Sequence, residues 1–564
     1  MKHSRRQFLM TAGAGALAMT GCTTFRKPRA PRRPNILLIM SDDQGYGDMS
    51  AHGNPYLKTP NLDRLRGDGV RFERFYVCPV CTPTRACLMT GRYNYRTRAI
   101  DTYLGRAMMD PKEVTAAQLL GRAGYRTGIF GKWHLGDNYP MRACDKGFQE
   151  SLVHRGGGLM QPSDWPGNTY FNPTLSRNGQ DFKSSGYCTD VFTDAAIDFI
   201  SRRSSEPFFC YLPTNAPHTP LQIANEWAEP YRALGLDGNV AKAYGMVANL
   251  DWNVGRILGK INQLGIARDT LVIFLTDNGP QAYGRAPVRY NAGMRGTKGT
   301  VYEGGIRVPS FWRWPGTLDA GGRIDTMAAH IDVLPTLLEI AGVRNPGNRA
   351  RATRVDGRSL VPLLMRDPTP WPDRYYFTQW HRGDAPEPFR ACAVVSQQYK
   401  LVDGKELYDL VDDPFEQHDI AAEKPNVVAE MRRAYERWFA DVSATRGYDP
   451  PRIHIGTPHE NPVVLTRQDW RGDEGWDAGR SGHWLLHVAT PGPYDITLTF
   501  NPLGEAGSVG FQLGDVTFEQ KVEKDAASCA FQNVTLNRGP ARLDTWLTRG
   551  GKKEGAYQIY VQKR

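Results

Sequence analysis

Four short apolar runs, each bounded by Gly, Pro or Asp, constrain this chain more than any other feature. The first, Asn35-Ile36-Leu37-Leu38-Ile39-Met40, stops at Ser41-Asp42-Asp43. Its apolar residues are continuous rather than alternating, which describes a strand covered on both faces. Arg126 to Phe130, Phe208 to Leu212 and Leu271 to Thr276 repeat the pattern. Between them lie helix-like stretches, among them Val114 to Ala123, Phe192 to Arg203 and Ala241 to Leu264. Strands alternating with helices build a mostly parallel sheet packed by helices, an α/β fold. Ligands of such sheets gather beyond the carboxyl ends of the strands, where Asp42, Asp43, Asp277 and Asn278 lie.

The pattern changes near residue 370. Arg374 to Trp380, Ala391 to Val402 and Glu406 to Leu410 read as strands, closed by an amphipathic helix from Val427 to Val442. From about Pro462 the chain alternates in short strands with Gly and Pro turns: Trp484 to Val488, Tyr494 to Phe500, Gly510 to Phe518 and Gln558 to Val561. At 564 residues the chain exceeds what one core accommodates. The expected division is a catalytic α/β domain over 35–370, a smaller α+β subdomain over 371–460 and an all-β accessory domain over 461–564.

Residues 1–22 read as an export signal. A basic start with Ser4-Arg5-Arg6-Gln7-Phe8-Leu9 precedes an apolar Ala- and Gly-rich stretch too short to span a bilayer. Arg5-Arg6 resembles a twin-arginine signal, and Gly21-Cys22 resembles the end of a lipobox, although Met19 is not the preferred residue there. The expectation is an exported protein, periplasmic or tethered to the cell surface by a lipid on Cys22. Residues 23–34, basic and Pro-rich, would form a stiff tether. The net charge of +11 suggests a polyanion partner, but residues 1–34 carry eight cations and no acid, leaving +3 for the rest. Nucleic-acid binding has little compositional support. If Cys22 is lipidated and Cys81 modified, seven of the nine cysteines remain. That odd number excludes a fully disulfide-stapled scaffold, and spacing does not reveal pairing.

The chemistry concentrates in a few segments. Asp42, Asp43, Asp277 and Asn278 supply oxygen donors at the ends of two strands, as Ca²⁺ or Mg²⁺ requires. Each pair alone is as well explained by turns and helix caps. Gly131-Lys132-Trp133-His134-Leu135-Gly136 puts a cation and an imidazole two residues apart, on one side of an extended segment. His218 sits in Asn215-Ala216-Pro217-His218-Thr219-Pro220, a loop fixed by prolines, and Lys298 lies between glycines that permit close approach of an anion. The run Cys81-Thr82-Pro83-Thr84-Arg85-Ala86-Cys87-Leu88-Met89-Thr90-Gly91-Arg92 begins, taken alone, with a cysteine ahead of a turn-forming proline.

Together these segments resemble the formylglycine-dependent sulfatases of the alkaline-phosphatase-like superfamily, from about Pro34 to Val442. The resemblance covers the run at Cys81, Pro34 to Gly45, Thr276-Asp277-Asn278-Gly279, the Gly-Lys-Trp-His-Leu-Gly segment, the Lys298 segment and Glu406 to Pro414. It implies that a formylglycine-generating enzyme oxidises Cys81 to 3-oxoalanine; if Cys81 lies in a pocket lined by Asp42, Asp277, His134 and Lys298, that enzyme must act before folding closes the pocket. It further implies that Asp42, Asp43, Asp277 and Asn278 bind Ca²⁺, less readily Mg²⁺, together with residue 81. Arg85 and Lys132 then hold residue 81, His134 is the base that releases sulfate, and His218 and Lys298 bind the sulfate, one of them protonating the leaving oxygen. Lys132 shares in binding the sulfate. In the family's mechanism the hydrated aldehyde attacks sulfur. Two rivals share parts of this reading: a phosphatase or phosphodiesterase of the same superfamily, and a tethered glycan-binding protein in which Cys81 stays a thiol. Export, and aromatic-rich segments at Trp165 to Phe171 and Trp380-His381-Arg382, favour a sulfated poly- or oligosaccharide substrate.

Overall fold

The computed structural model describes residues 33–564, except 203, 284–288, 345–353, 473–474, 478, 503 and 551. The expected leader, its Cys22 and nearly all of the tether lie outside the described residues. No helix among the described residues is long and apolar enough to cross a membrane.

An eleven-stranded sheet organises the first part of the chain. Its middle consists of Thr270–Thr276, Asn35–Ser41, Phe208–Pro213, Arg126–Lys132 and Glu150–His154, side by side and all parallel. Arg307–Arg313 joins antiparallel on one side and Thr174–Arg177 on the other. Alternation of side chains along a strand explains why the runs are apolar throughout. In the first strand, Ile36, Leu38 and Met40 pack on one face with Leu88 and Met89 of the helix Cys81–Thr90 and with Leu334 and Leu337 of Val333–Ile340. Leu37 and Ile39 pack on the other with Phe192 of Cys188–Ser201 and with Met246 and Leu250 of Gly238–Gln263. These five strand residues are completely buried. At about 1.5–3 kcal/mol for each fully buried large aliphatic side chain, this strand is held firmly on both faces, so its acidic end is a rigid platform.

The α+β subdomain contains a four-stranded antiparallel sheet and the helix Pro425–Ser443. The run read as one strand from Ala391 to Val402 is a hairpin, Cys392–Val395 and Tyr399–Val402. Ser396 turns it, accepting from the backbone N–H of Tyr399 through its hydroxyl. Gly510 to Phe518 divides likewise into Gly507–Leu513 and Val516–Val522, because Gly514 takes the left-handed conformation (φ 59) that a two-residue turn needs. The C-terminal part is a sandwich of a six- and a four-stranded sheet. Ile453–Ile455 pairs in the larger sheet with His483–Val488, so the β-rich part begins before the expected residue 461. Leu104, Met108 and Met141 of the α/β part belong to the same apolar core as Trp470, Trp484 and Ile496 of the sandwich.

Candidate active site

Every predicted catalytic and metal-binding position falls in one place, beyond the carboxyl ends of the central strands. Asp42 and Asp43 follow Asn35–Ser41, and Asp277 and Asn278 follow Thr270–Thr276, its neighbour in the sheet. Cys81 is the first residue of the helix Cys81–Thr90, where unpaired amides and the helix dipole favour negative charge. All of these side chains are buried.

Lys132 and His134 reach the site by a turn, not by the two-residue repeat of an extended strand. Lys132 ends the strand Arg126–Lys132 and donates its Nζ to Asp42 Oδ2 at 2.7 Å. Gly131 permits this ending, since a Cβ there would lie 1.9 Å from the Pro213 carbonyl oxygen. The chain then leaves the extended path, and His134 adopts φ 59, in the left-handed region. Asp43 does the same at φ 61. For non-glycine residues this conformation costs on the order of 1 kcal/mol, a strain that clusters at functional sites. Through it His134 Nδ1 comes to 3.4 Å from Cys81 Sγ, while its Nε2 lies 2.8 Å from the Thr102 carbonyl oxygen. A carbonyl only accepts, so Nε2 carries the proton and Nδ1 presents a lone pair to position 81.

Arg85, one turn along the helix, donates from Nη2 and Nε to Asp277 Oδ2 at 2.7 and 3.2 Å and from Nη1 to the Lys132 carbonyl at 2.9 Å. Lys298 donates to Asp43 Oδ2 at 2.7 Å. His218 hydrogen-bonds the Thr219 carbonyl through Nδ1 at 2.6 Å, and its Nε2 stands 3.8 Å from Asp43 Oδ2. Tyr170 supports it from behind, donating to the His218 carbonyl at 2.9 Å.

The electrostatics match a cation-binding, anion-binding site. Burial, reinforced by Asp42, raises the Asp277 carboxyl to about 7, although Arg85 opposes the rise. Burial acts against the charge on Asp43 as well, yet Lys298 and, further off, Lys132 hold its carboxyl well below the usual range. Burial, with Lys298 and Lys132 nearby, lowers His218 to about 3. Burial and then Lys132 likewise keep His134 neutral. Burial also pushes the Cys81 thiol up.

The oxygen donors fit a hard divalent cation. Asp42 Oδ1 and Asn278 Oδ1 are buried without a hydrogen-bond partner, a costly arrangement unless a cation takes them. Donor atoms of Asp42, Cys81 and Asp277 lie within 4.8 Å of one another, as do those of Asp42, Asp43 and His218. Three carboxylates here face Lys132, Lys298 and Arg85. A divalent ion would therefore leave the site positive and ready for an anion.

The site opens into a cavity of about 560 Å³. Its walls add residues that carry no recognisable sequence signal: Tyr103, Gln161, Gln281 and Trp476. Of the aromatic segments singled out in the sequence, Trp380 and Arg382 line this cavity. His381 instead donates within its own loop to the Arg382 carbonyl and accepts from Glu387 N. Trp165 stacks under Arg155, and Tyr170 is buried behind His218.

The sulfatase family pattern matches residues 34–343, more than half of the chain. The chain belongs to the sulfatase family. A second pattern, the C-terminal region of N-sulphoglucosamine sulphohydrolase, matches residues 296–439. Human arylsulfatase A is 31% identical over 494 residues, covering 77% of this chain and 92% of its own. N-acetylgalactosamine-6-sulfatase of Sus scrofa is 33% identical over 392 residues, covering 64% and 70%. The solved structure of Ps i-CgsB in complex with k-i-k-neocarrahexaose aligns with a TM-score of 0.65 and 28% identity, covering 74% of this chain and 95% of that one. The protein is thus an enzyme of the sulfatase kind with the α/β fold of that family. Both family patterns end before the C-terminal sandwich.

Proposed function

We propose that this sulfatase removes sulfate from a sulfated carbohydrate, using formylglycine made from Cys81 and Ca²⁺ held by Asp42, Asp43, Asp277 and Asn278. The observation that carries the reading is the setting of position 81: at a helix N-terminus, facing the lone pair of His134 Nδ1, with donor atoms of Asp42 and Asp277 within 4.8 Å and Asp42 Oδ1 left without a hydrogen-bond partner. With position 81 oxidised and hydrated, and a divalent ion held by these donors, the site would gain a nucleophilic oxygen and charge stabilisation for the sulfate. The other tasks fall to side chains whose positions support them. His134, neutral and with Nε2–H fixed on Thr102, accepts a proton at Nδ1 from position 81 and so acts as the base. Lys298 is held in its charged form by Asp43, despite burial, and serves as a fixed cation for the sulfate. The Nδ1–H of His218 is committed to Thr219, which leaves Nε2 to deliver a proton to the leaving oxygen. An incoming anion offsets the burial and the neighbouring lysines that keep His218 neutral. Arg85 and Lys132 orient Asp277 and Asp42 and balance their charge.

A carbohydrate is favoured by the amide and hydroxyl groups of Gln161, Gln281, Thr102 and Thr297 around the cavity, which suit a polyol better than an apolar skeleton. It also agrees with the saccharides printed in the names of two of the relatives above, N-acetylgalactosamine and neocarrahexaose. A panel of sulfated galactose, N-acetylgalactosamine and N-acetylglucosamine saccharides, run beside 4-nitrophenyl phosphate, tests the proposal. Sulfate release from at least one saccharide is expected, with kcat/KM at least about 100-fold above that for the phosphate ester, equivalent to ~2.7 kcal/mol of transition-state discrimination. A faster phosphate reaction, or sulfate release from no saccharide, overturns it.

A further inference from the structure

The C-terminal sandwich reaches into the active-site cavity, and it does so on a rigid mount. The segment after Val463–Thr466 is clamped to the loop that follows Asp101. Gln468 donates its Nε2–H to the Thr102 carbonyl at 2.9 Å, and its own carbonyl accepts from Gly105 N at 2.9 Å. Arg471 donates to the Gly105 carbonyl at 2.7 Å and to Asp384 at 2.8 Å. Arg467, almost fully buried, donates to the carbonyls of Trp476 and Asp477 at 3.3 and 2.7 Å. Trp476 is therefore held in place on the cavity wall, its ring edge-on to Tyr103 at 4.9 Å and 65°.

The wall continues beyond these two rings. The Arg382 guanidinium lies 4.3 Å from the Tyr103 ring centre and 5.1 Å from that of Trp380, and it pairs with Asp101 at 2.7 Å. Asp101 also accepts from Trp380 Nε1 at 3.0 Å. Arg382 is thus neutralised from one side and acts as a spacer that ties the aromatic rings together. Opposite chemistry comes from the Gln161 and Gln281 amides that line the same cavity. A pyranose has both requirements, an apolar C–H face and a rim of hydroxyls.

We infer that Trp476, a residue of the C-terminal sandwich, forms with Tyr103 and Trp380 the subsite that seats the sugar carrying the scissile sulfate, making the sandwich a determinant of saccharide specificity. This rests on the carbohydrate reading above. The ring contact of Trp476 is with Tyr103, and an indole offers neither a nucleophile nor a proton at working pH, so its effect falls on binding of the sugar. A rigid indole loses little conformational freedom when it binds.

The test compares Trp476→Ala, Trp476→Phe and Tyr103→Leu with the wild type on κ-carrageenan oligosaccharides, on chondroitin disaccharides sulfated at position 4 or 6, and on 4-methylumbelliferyl sulfate. For whichever saccharide the wild type hydrolyses best, Trp476→Ala is expected to lower the ratio of kcat/KM for saccharide over aryl sulfate about tenfold, mainly by raising KM. Trp476→Phe recovers much of the ratio, and Tyr103→Leu shifts it in the same direction. Should Trp476→Ala fail to fold, the phenylalanine and Tyr103 variants decide. An unchanged ratio in a wild type that does hydrolyse saccharides overturns this inference alone. A wild type that hydrolyses only the aryl sulfate overturns the carbohydrate reading with it.

Discussion

Replacing Cys81 with alanine leaves a folded protein whose sulfatase turnover falls to background, a loss of at least about 10⁴-fold in kcat. The thiol is buried, but it is small and begins its helix, and its one side-chain hydrogen bond among the described residues is to His134 at 3.4 Å. Removing it opens little space, so the melting temperature should move by no more than about 4 °C. The contrast between the two readouts is what matters. The Lys132, Arg85 and Lys298 ion pairs persist in the variant, because none of them runs through residue 81. Their survival cannot restore turnover if position 81 supplies the nucleophile. Substantial residual activity would instead mean that some other group attacks the ester.

Stripping divalent metal with a chelator is expected to abolish activity and to lower the melting temperature by about 5 °C or more, both restored by Ca²⁺ and less completely by Mg²⁺. The stability effect has a definite pH signature. Without an ion, burial and the Asp42 charge raise the Asp277 carboxyl from its ordinary 3.8 to about 7. The folded state then holds a proton that the unfolded chain releases, so stability falls as pH rises from about 4 to about 7 and levels off above. Bound metal removes the need for that proton. The gap in melting temperature between loaded and chelated enzyme should therefore widen across this window. A chelated enzyme that keeps both its activity and its melting temperature would contradict the assignment of Asp42, Asp43, Asp277 and Asn278.

The parallel sheet and the placing of the site at its edge were legible because burial on both faces demands unbroken apolar runs. The polar residues that interrupt those runs at the strand ends then stand out. His134 was found through its neighbours in sequence, but the φ of 59 that brings it to position 81 leaves no mark in a pattern of residue types. Hairpins were hidden where a single turn residue, such as Gly514, sits inside an apolar stretch. The share of the C-terminal sandwich in the cavity was invisible for a different reason. Gln468 and Thr102 are 366 positions apart, and only the folded chain makes them neighbours. Tyr103, Gln161 and Trp476 belong to no local motif, and they meet in the wall of one cavity.

The central claim is the oxidation of Cys81, and mass spectrometry of the tryptic peptide Phe75 to Arg85 tests it most directly. Active protein, produced alongside a formylglycine-generating enzyme, should give a peptide with an aldehyde at position 81 and an intact thiol at Cys78. A thiol at both positions in a preparation that hydrolyses sulfate esters would contradict the account.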